Sequence, residues 1–332
     1  LADISNDERY LLLSKSITTS ENKFFLFDVI ENERIEISSL PGSYSSSGFS
    51  NDSKSFFYIT DINNEFSYLN EYDIELNESS VVYKTEWDVM YSYLSKNEKY
   101  RIIGVNEDGK NSVKVIEVDS NLPIKLPSFN NADITSVSFS ESEQKIRLSV
   151  GSSKMPNDLF VYDIEDETLK KITNSLNPEI DSNSLVNAKV VRYKSFDGLE
   201  IPAIYYKPLN ASKNNKVPAL IWVHGGPGGQ SRIGFNPLIQ YLTNNGYAIL
   251  AVNNRGSSGY GKSFYKMDDR NHGEKDLKDC VWGKKWLQKQ EYIDENKIGI
   301  IGGSYGGYMT MAAMTFTPNE FTVGVNIFGV TN

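Results

Sequence analysis

The residues best suited to chemistry lie in Gly302-Gly303-Ser304-Tyr305-Gly306-Gly307-Tyr308. Gly302, Ser304 and Gly306 fill the pattern G-x-S-x-G, which places a serine hydroxyl on a sharp turn between a strand and a helix. The apolar run 298–301 predicts the strand before it, and 306–316 the helix after it. The flanking glycines remove side chains that would collide in such a turn. The helix N-terminus offers N–H groups and partial positive charge to a developing negative charge. Ser304 is therefore the candidate nucleophile, and acyl transfer the candidate chemistry.

That chemistry needs two donors for an oxyanion and a base for the serine proton. The N–H of Tyr305, the residue after the nucleophile, is the first donor expected. The second is expected from the loop after an earlier strand, where His224-Gly225-Gly226-Pro227-Gly228-Gly229 supplies the glycines, with Gly226 the candidate. The sequence holds only two histidines, His224 and His272. Both precede Ser304, whereas the chain order for such a turn is Ser, then Asp or Glu, then His. His224 is read as shaping its loop through hydrogen bonds, and His272 as a solvated loop residue.

The elements that must position these groups follow from residue 188 onward. Segments 189–194 and 199–207 read as a hairpin joined at Ser195-Phe196-Asp197-Gly198. The continuous apolar run 217–223 and the run 247–252 read as strands covered on both faces. Helices are expected over 237–244 and 276–290, the second with Leu277, Val281, Trp282, Trp286 and Leu287 on its apolar side. A last strand is expected over 323–328. Strands alternating with helices predict a mostly parallel sheet between helical layers, the N-terminal part of an α/β-hydrolase domain.

The first half of the chain repeats itself. Ile4-Ser5, Phe49-Ser50, Leu94-Ser95 and Phe139-Ser140 recur at steps of 45 residues, each before a strand-like run. A second series in phase ends a run in Asp: Phe27-Asp28, Tyr72-Asp73, Val118-Asp119 and Tyr162-Asp163. Alternating apolar residues bounded by Asn, Asp, Ser and Gly read as strands. A period of about 40–45 residues with several strands per unit marks β-propeller blades. The expected fold class is a partial β-propeller, about four blades visible, followed by the N-terminal part of an α/β-hydrolase domain. The expected division is 1–180 for the blades and 181–332 for the hydrolase part, with the polar stretch 172–188 as linker.

Composition narrows the partners. Net charge is -9, and no basic cluster offers a face for nucleic-acid phosphates. Mean hydropathy is -0.42, no apolar run is long enough to span a bilayer, and no leader pattern opens the sequence. A cytoplasmic location and no membrane partner are the expectations. The lone Cys280 excludes an internal disulfide framework and a Cys-cluster metal site. The chemistry implies no metal and no cofactor, and a homo-oligomer stays open.

A repeat array leading into HGGPGGQSR, then NNRGSSGYGKSF, then GGSYGGYM, resembles the prolyl oligopeptidase family of serine peptidases, and within it the acylaminoacyl-peptidase branch. The resemblance implies that Ser304 is the nucleophile, that the amides of Tyr305 and Gly226 hold the oxyanion, and that Arg255 to Gly261 form a scaffold segment. It implies short peptides or acyl-peptides as substrates, with the propeller restricting entry. No Glu-Glu pair occurs in the sequence, which disfavours the grip on a free peptide N-terminus used by dipeptidyl-peptidase relatives.

One departure from the family stands out. Residues 305–332 contain no Asp and no His, and Glu320 is their only acid. The triad acid and base are expected further on, so the chain is expected to be a piece cut at its C-terminus, with low activity alone. The chain also begins at Leu1 rather than Met. Two alternatives remain at this point: a carboxylesterase of the same fold, and a non-catalytic propeller and hydrolase fragment lacking the triad Asp and His.

Overall fold

The computed structural model describes residues 1–330. Its first half holds four antiparallel sheets of four strands each. The first comprises β1 (Asp3–Ile4), β2 (Tyr10–Ser16), β3 (Asn22–Asp28) and β4 (Glu33–Glu36). The second comprises β5 (Tyr44–Phe49), β6 (Ser55–Thr60), β7 (Tyr68–Asp73) and β8 (Glu78–Tyr83). The third comprises β9 (Asp88–Leu94), β10 (Tyr100–Glu107), β11 (Lys110–Glu117) and β12 (Leu122–Pro123). The fourth comprises β13 (Asp133–Phe139), β14 (Lys145–Gly151), β15 (Asp158–Asp163) and β16 (Leu169–Lys171). This is the construction of successive propeller blades.

The 45-residue serine series has a local cause. Ser5, Ser50, Ser95 and Ser140 each close the turn between the first two strands of a sheet. Each Oγ accepts from the N–H five residues on, at Tyr10, Ser55, Tyr100 and Lys145, over 2.8, 3.0, 2.9 and 3.2 Å. Three residues after each serine the chain turns left-handed, with φ of 57 to 60° at Glu8, Ser53, Glu98 and Glu143. The aspartate series falls at the end of β3, β7 and β15, while Val118-Asp119 lies just past β11.

Packing between sheets follows the strand period of two. Phe56 and Tyr58 of β6 join Leu12, Phe24 and Leu26 of the first sheet. Phe57 and Ile59 of the same strand join Ile103 and Val105 of the third. Ile102 then packs with Ile146 and Leu148 of the fourth. β6 is buried along its whole length, so its centre reads as the unbroken run Phe56-Phe57-Tyr58-Ile59.

The second half is one six-stranded sheet in the order β17-β18-β20-β19-β21-β22. Its strands are β17 (Ala188–Lys194), β18 (Glu200–Tyr206), β19 (Val217–Val223), β20 (Ala248–Val252), β21 (Ile293–Gly303) and β22 (Gly324–Ile327). The β17–β18 hairpin joins antiparallel to β20, and the remaining pairs are parallel. On one face Ile221, Leu250, Val252 and Ile300 pack under α3 (Lys275–Gln288) and α4 (Tyr305–Phe316). On the other, Leu220, Ile249 and Ile301 pack under Ile239 of α1 (Pro237–Asn244). The short helix α2 (Lys262–Tyr265) lies in a loop for which the sequence offers no helical period. Among the described residues no helix is long and apolar enough to cross a membrane.

Candidate functional site

Ser304 sits between the end of β21 and the start of α4, with φ 54° and ψ -118°. That left-handed backbone is uncommon for a residue with a Cβ and stores strain. The turn is held by its own backbone: Ser304 N–H donates to Ile327 O at 3.1 Å, and Gly307 and Tyr308 N–H donate to Ser304 O at 3.0 and 3.1 Å. The Ser304 side chain does not cap α4, and the N–H groups of Tyr305 and Gly306 at its start have no residue four before them in the helix to accept from them. Close packing explains the glycines. A Cβ on Gly306 would meet Val223 O at 2.1 Å, and one on Gly302 would meet Gly306 C at 2.4 Å.

The loop after β19 lies beside this turn, because Val223 and Gly302 are parallel partners. A Cβ on Gly225 would lie 3.5 Å from Ser304 Cβ. Gly226 has φ 141° and lines the same cleft as Ser304, a cavity of about 370 Å³ completed by Pro227, His272, Tyr305, Tyr308 and Val330. The three residues singled out in the sequence, Ser304, Tyr305 and Gly226, thus share one cleft.

Neither histidine hydrogen-bonds to the Ser304 hydroxyl among the described residues. His224 is buried, with Nδ1 2.8 Å from Gly225 O and Nε2 2.8 Å from Ser257 Oγ. Gly225 O can only accept, so Nδ1 carries a proton. Burial pushes the imidazole below its ordinary pKa, which keeps it neutral and in its loop role. His272 is an exposed turn residue, as expected, and it also lines the cleft. Its ring meets Tyr305 edge to face at 5.5 Å, and Nε2 lies 3.7 Å from Asp268 Oδ2.

Sequence reasoning missed the carboxylates behind this wall. Asp268 is 4% exposed, and its Oδ2 has no hydrogen-bond partner. Burial pushes its carboxyl up to about 6; His272 opposes the shift, while Asp276 and Asp269 add to it. Asp276 is fully buried and accepts from the Tyr305 hydroxyl. Burial and that carboxyl together raise the Tyr305 phenol well above its ordinary value. Asp279, one turn on, accepts from Arg255 Nε at 2.9 Å and Nη2 at 2.8 Å. Arg255 also binds Asp197 at 2.9 Å through Nη1, and Ser195 Oγ donates to Asp279 at 2.6 Å. The 195–198 hairpin and the Arg255 segment are therefore joined to α3 by one ion-pair network, buried at Arg255 and Asp279 and open to solvent at Asp197.

Blade-like four-stranded sheets followed by a mixed sheet with a strained serine between strand and helix make a two-part fold. Residues 234–332 match the sequence profile of the prolyl oligopeptidase family. The chain is 32% identical over 214 residues to dipeptidyl aminopeptidase BIII of Pseudoxanthomonas mexicana, covering 63% of this chain and 31% of that one. It is 29% identical over 229 residues to dipeptidyl peptidase family member 6 of Caenorhabditis elegans, covering 63% and 30%. Among solved structures, a Mycobacterium tuberculosis puromycin-hydrolyzing peptidase superposes with a TM-score of 0.85 at 19% identity, covering 99% of this chain and 52% of that one. Pyrococcus horikoshii acylaminoacyl peptidase superposes at 0.73 with 20% identity, covering 97% and 51%. The chain spans about a third of the length of these curated relatives and about half that of the solved chains.

Proposed function

We propose that the chain carries the nucleophile and oxyanion side of a serine peptidase site acting on short peptides or acyl-peptides. The observation that carries this reading is the left-handed Ser304 at the head of an uncapped helix, sharing a cleft with Gly226. The peptidase names of the relatives support a peptide substrate. Residues 1–180 act as blades over the cleft, and 181–332 as the hydrolase part.

In this mechanism Ser304 Oγ attacks the substrate carbonyl carbon and its proton passes to a base. The carbonyl oxygen takes the negative charge between the N–H groups of Tyr305 and Gly226. Collapse breaks the C–N bond, and the amine leaves with the proton. Water then hydrolyses the acyl group from Ser304. His224 is held by Gly225 and Ser257, and His272 is turned to Asp268, so neither is assigned as the base. The chain by itself is expected to retain only the acceleration that oxyanion donors give without a triad, about 10³–10⁴-fold over water.

A fluorophosphonate probe tests the reading, with the modified residue located by mass spectrometry. The expected result is slow labelling at Ser304, absent in Ser304→Ala and unchanged in His272→Ala. Labelling that does not distinguish Ser304→Ala from the parent chain removes the nucleophile. Loss of labelling in His272→Ala makes His272 the base.

A further inference from the structure

We propose that Asp276 is a positioning residue for the Ser304 turn, acting through the phenol of Tyr305. The inference rests on the reading of Ser304 and Tyr305 given above. Three donors converge on the Asp276 carboxyl: the Tyr305 hydroxyl, Gly273 N–H at 3.2 Å and Leu277 N–H at 2.8 Å. A fully buried carboxyl with every contact a donor is a fixed acceptor, and such a group is costly to leave unpaired. Tyr305 is the first residue of α4, directly after the strained serine. Its side chain is therefore tied at one end to a buried carboxyl and at the other to the peptide assigned above to the oxyanion.

The tie is doubled one turn along α4. Tyr308 OH donates to His272 O at 3.1 Å, and Gly273, at φ 80°, lies so close that a Cβ there would meet Tyr308 OH at 2.5 Å. The 272–276 segment thus grips both tyrosines of the first helical turn. The backbone bonds that hold the Ser304 turn run directly into Tyr305, whose side chain is fixed at its far end by Asp276. Without the Asp276 acceptor the Tyr305 phenol has no partner at its buried end, and the ring, the peptide and the cleft wall are free to shift together.

Hydrogen exchange reads this without requiring activity. The amides of Gly307 and Tyr308 donate to Ser304 O and report opening of the turn. Asp276→Ala should accelerate their exchange about tenfold, with the Ile221 amide of central strand β19 unchanged. Tyr305→Phe removes the same bond from the other end without leaving a buried cavity at Asp276, and should give the same acceleration. Asp276→Asn keeps an acceptor oxygen and should restore most of the protection. The double variant Asp276→Ala/Tyr305→Phe should be no faster than either alone. Unchanged exchange at Gly307 and Tyr308, or equal acceleration at Ile221, overturns the proposal. Fluorophosphonate labelling at Ser304 should slow about tenfold in Asp276→Ala and recover in Asp276→Asn, and equal rates overturn it. A parent chain that does not label counts against the nucleophile reading alone, since exchange still decides the positioning role.

Discussion

Asp268 is almost wholly buried, one of its oxygens lacks a partner, and its carboxyl is pushed to about 6. Between the ordinary carboxylate value of 3.8 and about 6, the folded chain keeps a proton that the unfolded chain releases. The stability this group contributes is therefore full below about pH 4, falls as pH rises toward 6, and is level above that. Asp268→Asn cannot titrate. Its unfolding free energy relative to the parent should shift in the variant's favour across that window, then hold constant. Urea midpoints at half-unit pH steps measure the shift, and a difference independent of pH refutes it. Nothing in the sequence around Asp268 announced this: Asp268-Asp269-Arg270-Asn271 is the composition of a solvated loop. Its carboxyl packs against Gly256, twelve residues earlier, where a Cβ would lie 2.1 Å from the Asp268 carboxyl carbon. Ser304 was legible because the chemistry and the local turn need the same contiguous residues.

Among the elements, the blades were readable because each bond that defines them is local. The serine staple joins residues five apart, so a repeated serine reports a repeated turn. Ser95→Ala should cost about 1 kcal/mol, because Tyr100 N–H loses a 2.9 Å acceptor in a buried turn. A fall in the guanidinium midpoint without a change of slope measures it, and no shift removes the staple's role. Helix α3 was read by its apolar side, yet its buried residues include Asp276 and Asp279 beside Leu277, Cys280, Val281 and Leu287. Hydrophobic periodicity places carboxylates on the polar face by default. Arg255 arriving from another segment, and Tyr305 from another helix, offset part of the cost of burying these two.

In the whole molecule, the contacts between the blades and the second sheet lay furthest from sequence reading, since they join residues some 80 to 245 apart. Lys266 Nζ meets Glu21 at 2.7 Å, Arg232 Nη2 donates to Asn111 at 2.7 Å, and Arg192 meets Asp108 at 2.7 Å. Glu65 accepts from both Ser263 N–H and Ser263 Oγ at 2.8 Å, which fastens α2 to the second blade. Glu65→Ala should weaken that joint by about 1–3 kcal/mol and separate the melting of the two halves in calorimetry. A single unshifted transition excludes the coupling. The blades themselves interlock more regularly. Asn6 Nδ2 donates to Asn51 O, and Asn51 Nδ2 donates to Lys96 O, each exactly one unit of 45 residues ahead. Lys96 then pairs with Glu141, again 45 residues on. Each turn hands its bond to the equivalent position in the next, so an array of this kind grows or shrinks by whole units without leaving an unmatched partner. Tandem copying of a gene segment, in steps of one blade, is therefore the change in length that such a chain accepts most readily.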